Sequence, residues 1–227
     1  MTLKHVLTSS VGKKLVMGIT GISLILFLVV HVGLNACIWA NDSGEMFNRA
    51  ANFMGSNVIP RILEVGLFGG IFLHIIQGYL LTIDNRKKRS IGYAVSYSEG
   101  SKWYSRSMGV LGTLLLLFFI MHWKQFWIPS RFTGVEEISL SNGKMVHNLY
   151  GLMKDTFQDT WVVVLYVIGC ISLAYHLAHG FQSAFKTLGV HNKRYQALLS
   201  AVGFGFAIIV PLAFAMMPLS FYFGWIS

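Results

Sequence analysis

The sequence predicts an all-α membrane protein: five transmembrane helices in a bundle, the N-terminus in the cytoplasm and the C-terminus outside. Three observations carry this. Of 227 residues, 54% are hydrophobic and 12% charged, with mean hydropathy +0.58. A soluble domain is about one-quarter charged and could not cover itself with so little polar surface. Five apolar runs reach the ~20 residues that a bilayer core demands. Lys and Arg fall in alternate connections between those runs. A soluble enzyme and a disordered chain are thereby excluded, and one compact membrane domain over 1–227 is expected.

The spans are expected over 15–40, 62–83, 107–128, 161–185 and 197–223. Glycines fall within them, as at Gly66, Gly69 and Gly70, and small residues let membrane helices approach closely. Pro211 and Pro218 predict a kinked, less regular fifth helix. The first run is too long for the apolar part of a signal peptide, and no small-residue cleavage motif follows it, so no cleavable signal is expected. No internal repeat or low-complexity segment is visible.

The formal net charge is +9. Lys4, Lys13, Lys14, Arg86, Lys87, Lys88, Arg89, Lys102, Arg106, Lys186, Lys193 and Arg194 share one side of the membrane with Asp84 and Glu99. The remaining six cations share the other side with seven acids. The positive-inside rule makes the first side cytoplasmic. Orientation thus accounts for the basic balance, and no nucleic-acid partner is expected. The span interiors carry no Lys/Arg cluster or acid pair, so no charged transport pathway is expected. Cys37 and Cys170 are far apart in apolar stretches and read as small buried hydrophobes.

Eight histidines are present. His5, His191 and His147 fall in connections and are expected to be solvated. His31, His74, His122, His176 and His179 fall within four different spans. One intramembrane histidine is commonly an interhelical hydrogen-bonder. Polar groups in lipid are costly, so at least one on each of four helices calls for more. Counted from the cytoplasmic end of each helix, His31 and His122 lie about 17 positions in, His74 about 11 and His176 about 10. This makes two layers roughly 10 Å apart at the helical rise. Two facing imidazoles at one level suit the axial positions of a low-spin haem iron, and two layers suit two b-type haems. No Cys-x-x-Cys-His is present, which excludes covalent attachment. His179 follows His176 by three residues and is too shallow to match His74 as well. It is read as a neighbour able to meet a propionate or a quinone. The competing reading of these histidines is a bundle with interhelical hydrogen bonds, such as a transporter or scaffold.

At these residues the chain resembles the cytochrome b membrane anchor of succinate dehydrogenases and fumarate reductases, in its single-chain, five-helix, di-haem form (type B). The resemblance runs from about Ser9 to Phe223. It includes Ser9-Ser10-Val11-Gly12-Lys13-Lys14, then Thr20-Gly21, then Val30-His31-Val32-Gly33-Leu34-Asn35. Phe47-Asn48-Arg49-Ala50-Ala51-Asn52-Phe53-Met54 resembles the connection that follows, and Arg61-Ile62-Leu63-Glu64 leads to His74 and Gly78. Ser105 to Gly112 precede His122 on the third span, and His176 stands four residues before Gly180 on the fourth. That last spacing matches the family's fourth ligand and agrees with His176 over His179.

The resemblance implies that His31 and His122 ligate an outer haem, and His74 and His176 an inner one. It implies a flavoprotein subunit and an iron–sulfur subunit on the cytoplasmic face, with dicarboxylate chemistry in the flavoprotein. Electrons would run between the iron–sulfur subunit, the two haems and membrane quinone, with menaquinone the family's usual partner. Arg106, Arg86 and Lys186 are the candidates for propionate contact. Glu64 is read either as a proton acceptor for quinol or as a cap on its helix N-terminus. Some fumarate reductases of the family place a Glu two residues before the fourth ligand. Here that position is Ala174, so a transmembrane proton path of that kind is not expected. The expected location is a bacterial cytoplasmic membrane, and a higher oligomer of the complex stays open. A cytochrome b anchor of another respiratory dehydrogenase is the alternative within the same chemistry.

Overall fold

The computed structural model describes residues 9–87, 107–190 and 192–226. The first span is helix α1, Ser10–Asn35, and runs on through a 3-10 turn at Ala36–Ala40. Ser9 caps it by accepting the Gly12 N–H at 3.0 Å. A short helix α2, Glu45–Ser56, then leads to the second span, α3, Val58–Lys87. The third span begins as α4, Met108–His122, and continues through π-helical segments at Trp123–Trp127 and Pro129–Thr133. Strands β1, Glu137–Ser139, and β2, Met145–His147, pair antiparallel with Ile138 opposite Val146. Helix α5, Leu149–Thr156, precedes the fourth span, α6, Thr160–Thr187, and the fifth, α7, Lys193–Tyr222.

Among the described residues, five helices are long and apolar enough to cross a membrane: Val11–Ala40, Val58–Asn85, Met108–Thr133, Thr160–Thr187 and Arg194–Tyr222. All five begin or end one to five residues beyond the expected runs. Polar caps sit outside the apolar stretches and carry the helices into the interface. Asp159 caps α6 and Asn192 caps α7, each through its own side chain. Pro211 and Pro218 both lie inside α7, and the helix continues through them. The hairpin and α5 lie in what the sequence presents only as a long connection.

The bundle is apolar on its outside. Leu26, Val65, Leu117, Leu165 and Ile209 are large, apolar and exposed, as lipid-facing side chains are. α6 is the central helix: it packs against α1, α4 and α7 and buries Val163, Tyr166, Cys170, Leu177 and Phe181. Two glycines permit the close approaches. A Cβ on Gly169 would lie 2.6 Å from the Phe118 ring of α4, and one on Gly203 of α7 would lie 2.6 Å from the Phe181 ring. Dispersion and close packing, not water exclusion, hold helices together in lipid, so these contacts carry much of the association. Lys13 and Asp84 pair at 2.6 Å and tie the start of α1 to the end of α3.

At the other end, α2, the hairpin and α5 form a cap. Its core contains Ile38, Phe47, Tyr150, Met153 and Phe157, and it continues into the bundle through Val163, Tyr166, Met217 and Phe221. Asn48 is fully buried and its amide is used twice. It accepts the Tyr150 N–H at 2.9 Å and donates to Asn148 at 3.2 Å. Asn148 in turn accepts the Gly151 N–H and so caps α5. Gly44, at φ 82°, is packed so tightly under Tyr150 that a Cβ would overlap its ring. Burial and the nearby Asp42 carboxylate raise the Tyr150 phenol above its ordinary pKa. Glu45 is held below the usual carboxylate range by hydrogen bonds from Ser141 and Arg49.

Candidate functional site

The structure brings four of the five intramembrane histidines together in two pairs. The His31 ring of α1 faces the His122 ring of α4 at a centroid distance of 6.0 Å, with planes at 89°. The His74 ring of α3 faces the His176 ring of α6 at 6.2 Å, with planes at 62°. These are the two layers expected from residue counting. The pairing follows from the packing of α6 against α4 and α1, and of α1 against α3. His179 stands one turn further along α6 and is half-buried.

The spacing suits ligation from two sides. A metal-bound imidazole nitrogen lies about 2 Å from the metal and about 1 Å from its own ring centre, so two trans imidazoles have centroids about 6 Å apart. Both pairs match. Among the described residues no group of three or more His, Cys, Asp or Glu could hold a metal ion. A porphyrin supplies four nitrogens itself and asks the protein for two axial ligands, so a pair is the donor set it needs.

At His74 the hydrogen bonds also suit ligation. His74 Nδ1 meets the Thr20 hydroxyl oxygen at 3.1 Å. That hydroxyl donates its own proton to the Val16 carbonyl at 2.7 Å. The oxygen therefore accepts from Nδ1, and the lone pair of His74 is left on Nε2. His31 differs: the Asn35 amide nitrogen, which donates to the His31 carbonyl at 2.8 Å, lies 3.4 Å from Nδ1 and can only donate to it, so this contact does not place a proton on His31 Nδ1. His176 Nδ1 is buried and has no hydrogen-bond partner among the described residues. A buried polar atom left unpaired is costly and commonly marks a site that a ligand completes. Small residues leave room beside the rings. A Cβ on Gly21 would lie 3.7 Å from His74, and one on Gly112 would lie 3.9 Å from His176.

The two layers differ in their walls. His31 stacks on Phe27 at 5.0 Å and meets Phe214 at 5.4 Å. His122 stacks on Phe118 at 5.6 Å and meets Phe126 at 5.5 Å and Tyr166 at 6.0 Å. Thr20 and Gly21 border the His74 ring.

Glu64 needs a correction. It is not an N-terminal cap, because α3 begins six residues earlier at Val58. Asn57 does the capping, accepting the Ile59 N–H at 3.0 Å. Glu64 instead accepts from Arg61 at 2.7 Å, from Trp127 Nε1 at 2.6 Å and from Arg131 through two nitrogens at 3.2 Å. It thereby fastens α3 to the π-helical end of the third span. The sequence offered no sign of this, because Trp127 and Arg131 lie more than sixty positions away.

Of the three cations expected near propionates, Lys186 is exposed in the last turn of α6, where its charge also suits the helix dipole. Arg106 and the Arg86 side chain lie outside the described residues, as do His5 and His191. Thr20 and Tyr166, partners of His74 and His122, and Gln125 behind Tyr166 carry no sign of these roles in the sequence. A hydroxyl or amide on a membrane helix has no sequence signature that tells a ring contact from a bond to its own backbone.

Over 167 residues the chain is 24% identical to the succinate dehydrogenase cytochrome b558 subunit of Bacillus subtilis (strain 168). The match covers 73% of this chain and 73% of that protein. No family model matches the chain. No solved structure matches it. The chain thus has a distant similarity to a bacterial succinate dehydrogenase anchor along most of its length, and five apolar helices compatible with such an anchor.

Proposed function

We propose that the chain is the di-haem cytochrome b membrane anchor of a succinate:quinone oxidoreductase. The observation that carries the reading is the paired geometry: two opposed imidazole pairs, from four helices, at 6.0 and 6.2 Å. The similarity to the Bacillus subtilis subunit supplies the enzyme class. In this reading the His74/His176 pair lies toward the cytoplasm, where the basic connections meet an iron–sulfur subunit that carries a flavoprotein. The His31/His122 pair lies toward the outside. Succinate or fumarate chemistry stays in the flavoprotein.

Haem b, when bound, supplies a one-electron couple at each pair. The residues of this chain do the rest. The four imidazoles would hold the two haem irons, His74 and His122 through Nε2. Thr20 orients His74, and the Phe27, Phe118, Phe126 and Phe214 rings keep water from the His31/His122 pair. Lys186, Arg86 and Arg106 offer positive charge to propionates on the cytoplasmic side, with His179 as a further polar neighbour there. Membrane quinone, menaquinone by resemblance, exchanges electrons and protons at the bundle edge. Glu64 is the carboxylate near that edge, held by two guanidinium groups; a proton taken by it would loosen those pairs.

The test is a reduced-minus-oxidised spectrum of the purified chain with a count of haem per polypeptide. Two b-type haems per chain are expected, and no b-type band overturns the reading. Purification from membranes should also bring down a flavoprotein and an iron–sulfur subunit. A molybdenum or nickel subunit in their place would point to another dehydrogenase.

A further inference from the structure

We propose that Tyr166 is a positioning residue for His122. It holds that ring with the proton on Nδ1 and the lone pair on Nε2, and so tunes the His31/His122 centre without touching the other. The inference rests on the di-haem reading.

The geometry is a relay of one proton per link. Tyr166 is 6% exposed and sits on α6, across from α4. Its hydroxyl donates to Gln125 Oε1 at 2.8 Å. A phenol has one proton, and here it is spent. The same oxygen lies 3.2 Å from His122 Nδ1 and offers only lone pairs. Nδ1 must then carry the hydrogen, and a neutral imidazole with Nδ1–H presents its lone pair at Nε2. The phenol ring is itself held by T-shaped contacts to Phe118 and Phe157, both at 5.0 Å.

His74 has the same device in Thr20, and His176 has no partner at Nδ1 among the described residues. The two-step form, with a side-chain amide as the final acceptor, belongs to His122. An imidazole that donates from Nδ1 becomes a more basic ligand at Nε2. A more basic axial ligand favours the ferric state and lowers the reduction potential of its centre. Tyr166 therefore holds the His31/His122 potential below the value that His122 would set alone.

The experiment uses the haem-loaded full chain in detergent. It combines potentiometric titration of the b-type bands with electron paramagnetic resonance of the ferric low-spin signals. His176→Ala first assigns which signal belongs to which pair. Tyr166→Phe keeps the ring and removes the oxygen. It should leave two haems per chain, raise the potential of the His31/His122 centre, shift its ferric signal and leave the other centre unchanged. Gln125→Leu frees the phenol proton to turn toward Nδ1 and should lower haem occupancy at that pair. Gln125→Glu, which keeps an oxygen acceptor, should restore it. Unchanged potentials and signals in Tyr166→Phe overturn the inference, as does a shift confined to the His74/His176 centre. Equal loss of occupancy in Gln125→Leu and Gln125→Glu overturns the relay. A parent chain with no b-type band overturns the cytochrome reading instead.

Discussion

The two histidine layers share a ring spacing and differ in almost everything around it. The His31/His122 pair is walled by Phe27, Phe118, Phe126, Phe214 and Tyr166, and lies beside the cap. The His74/His176 pair is bordered by Thr20, Gly21 and Gly112. One layer is supported by aromatic packing on both rings. The other has a hydroxyl on one ring and a buried nitrogen without a partner among the described residues on the other. Spacing is a property of helix packing, set by small residues and by α6 at the centre. The electronic character of each pair is a property of its neighbours, and neighbours can be exchanged without moving the helices.

The comparison is broken most completely by removing one layer. His176→Ala should abolish one b-type haem and keep the other, while His179→Ala should keep both, as haem per chain and the difference spectrum will show. Loss of a haem in His179→Ala alone would reverse the ligand assignment. Next comes the cap. Asn48→Leu leaves the Tyr150 N–H buried without its acceptor, which costs about 1–3 kcal/mol. Thermal unfolding in detergent should fall, with the His31/His122 band lost first, because the cap core runs into Val163 and Tyr166.

Gly169→Ala tests the aromatic wall from within. Its new Cβ would lie 2.6 Å from Phe118, which stacks on His122. Overpacking of this kind costs about 1–3 kcal/mol. The His31/His122 band should shift and the other stay in place. A shift of both bands would mean that the layers are mechanically coupled. The smallest effect belongs to Thr20→Val, which keeps the shape and removes the acceptor of His74 Nδ1. It should raise the potential of the His74/His176 centre alone, the counterpart of Tyr166→Phe in the other layer. No change would show that the 3.1 Å contact to Thr20 does not set the ligand's basicity.

Much of this architecture follows from patterns that repeat along the chain. Five long apolar runs must become helices in lipid, because only an intrahelical ladder satisfies every backbone group there. The depth of each histidine is a count of residues times a constant rise, so the two layers could be read off before any contact was known. The cap was not readable in this way. Its strands have three residues each, too few for a periodic pattern, and Asn48 looks like any polar loop residue until the fold buries it.

The division has a physical basis. Sequence by itself determined the class of the protein, the number of spans and the level of each histidine, because these depend on local quantities: hydropathy, helical rise and charge between spans. Tertiary structure decided which rings face each other, where Glu64 sends its charge and which nitrogen of His74 or His122 holds the proton. The last two depend on hydrogen bonds between residues forty to seventy positions apart, and the facing rings lie further apart still in sequence, so only the packing of the helices brings them together.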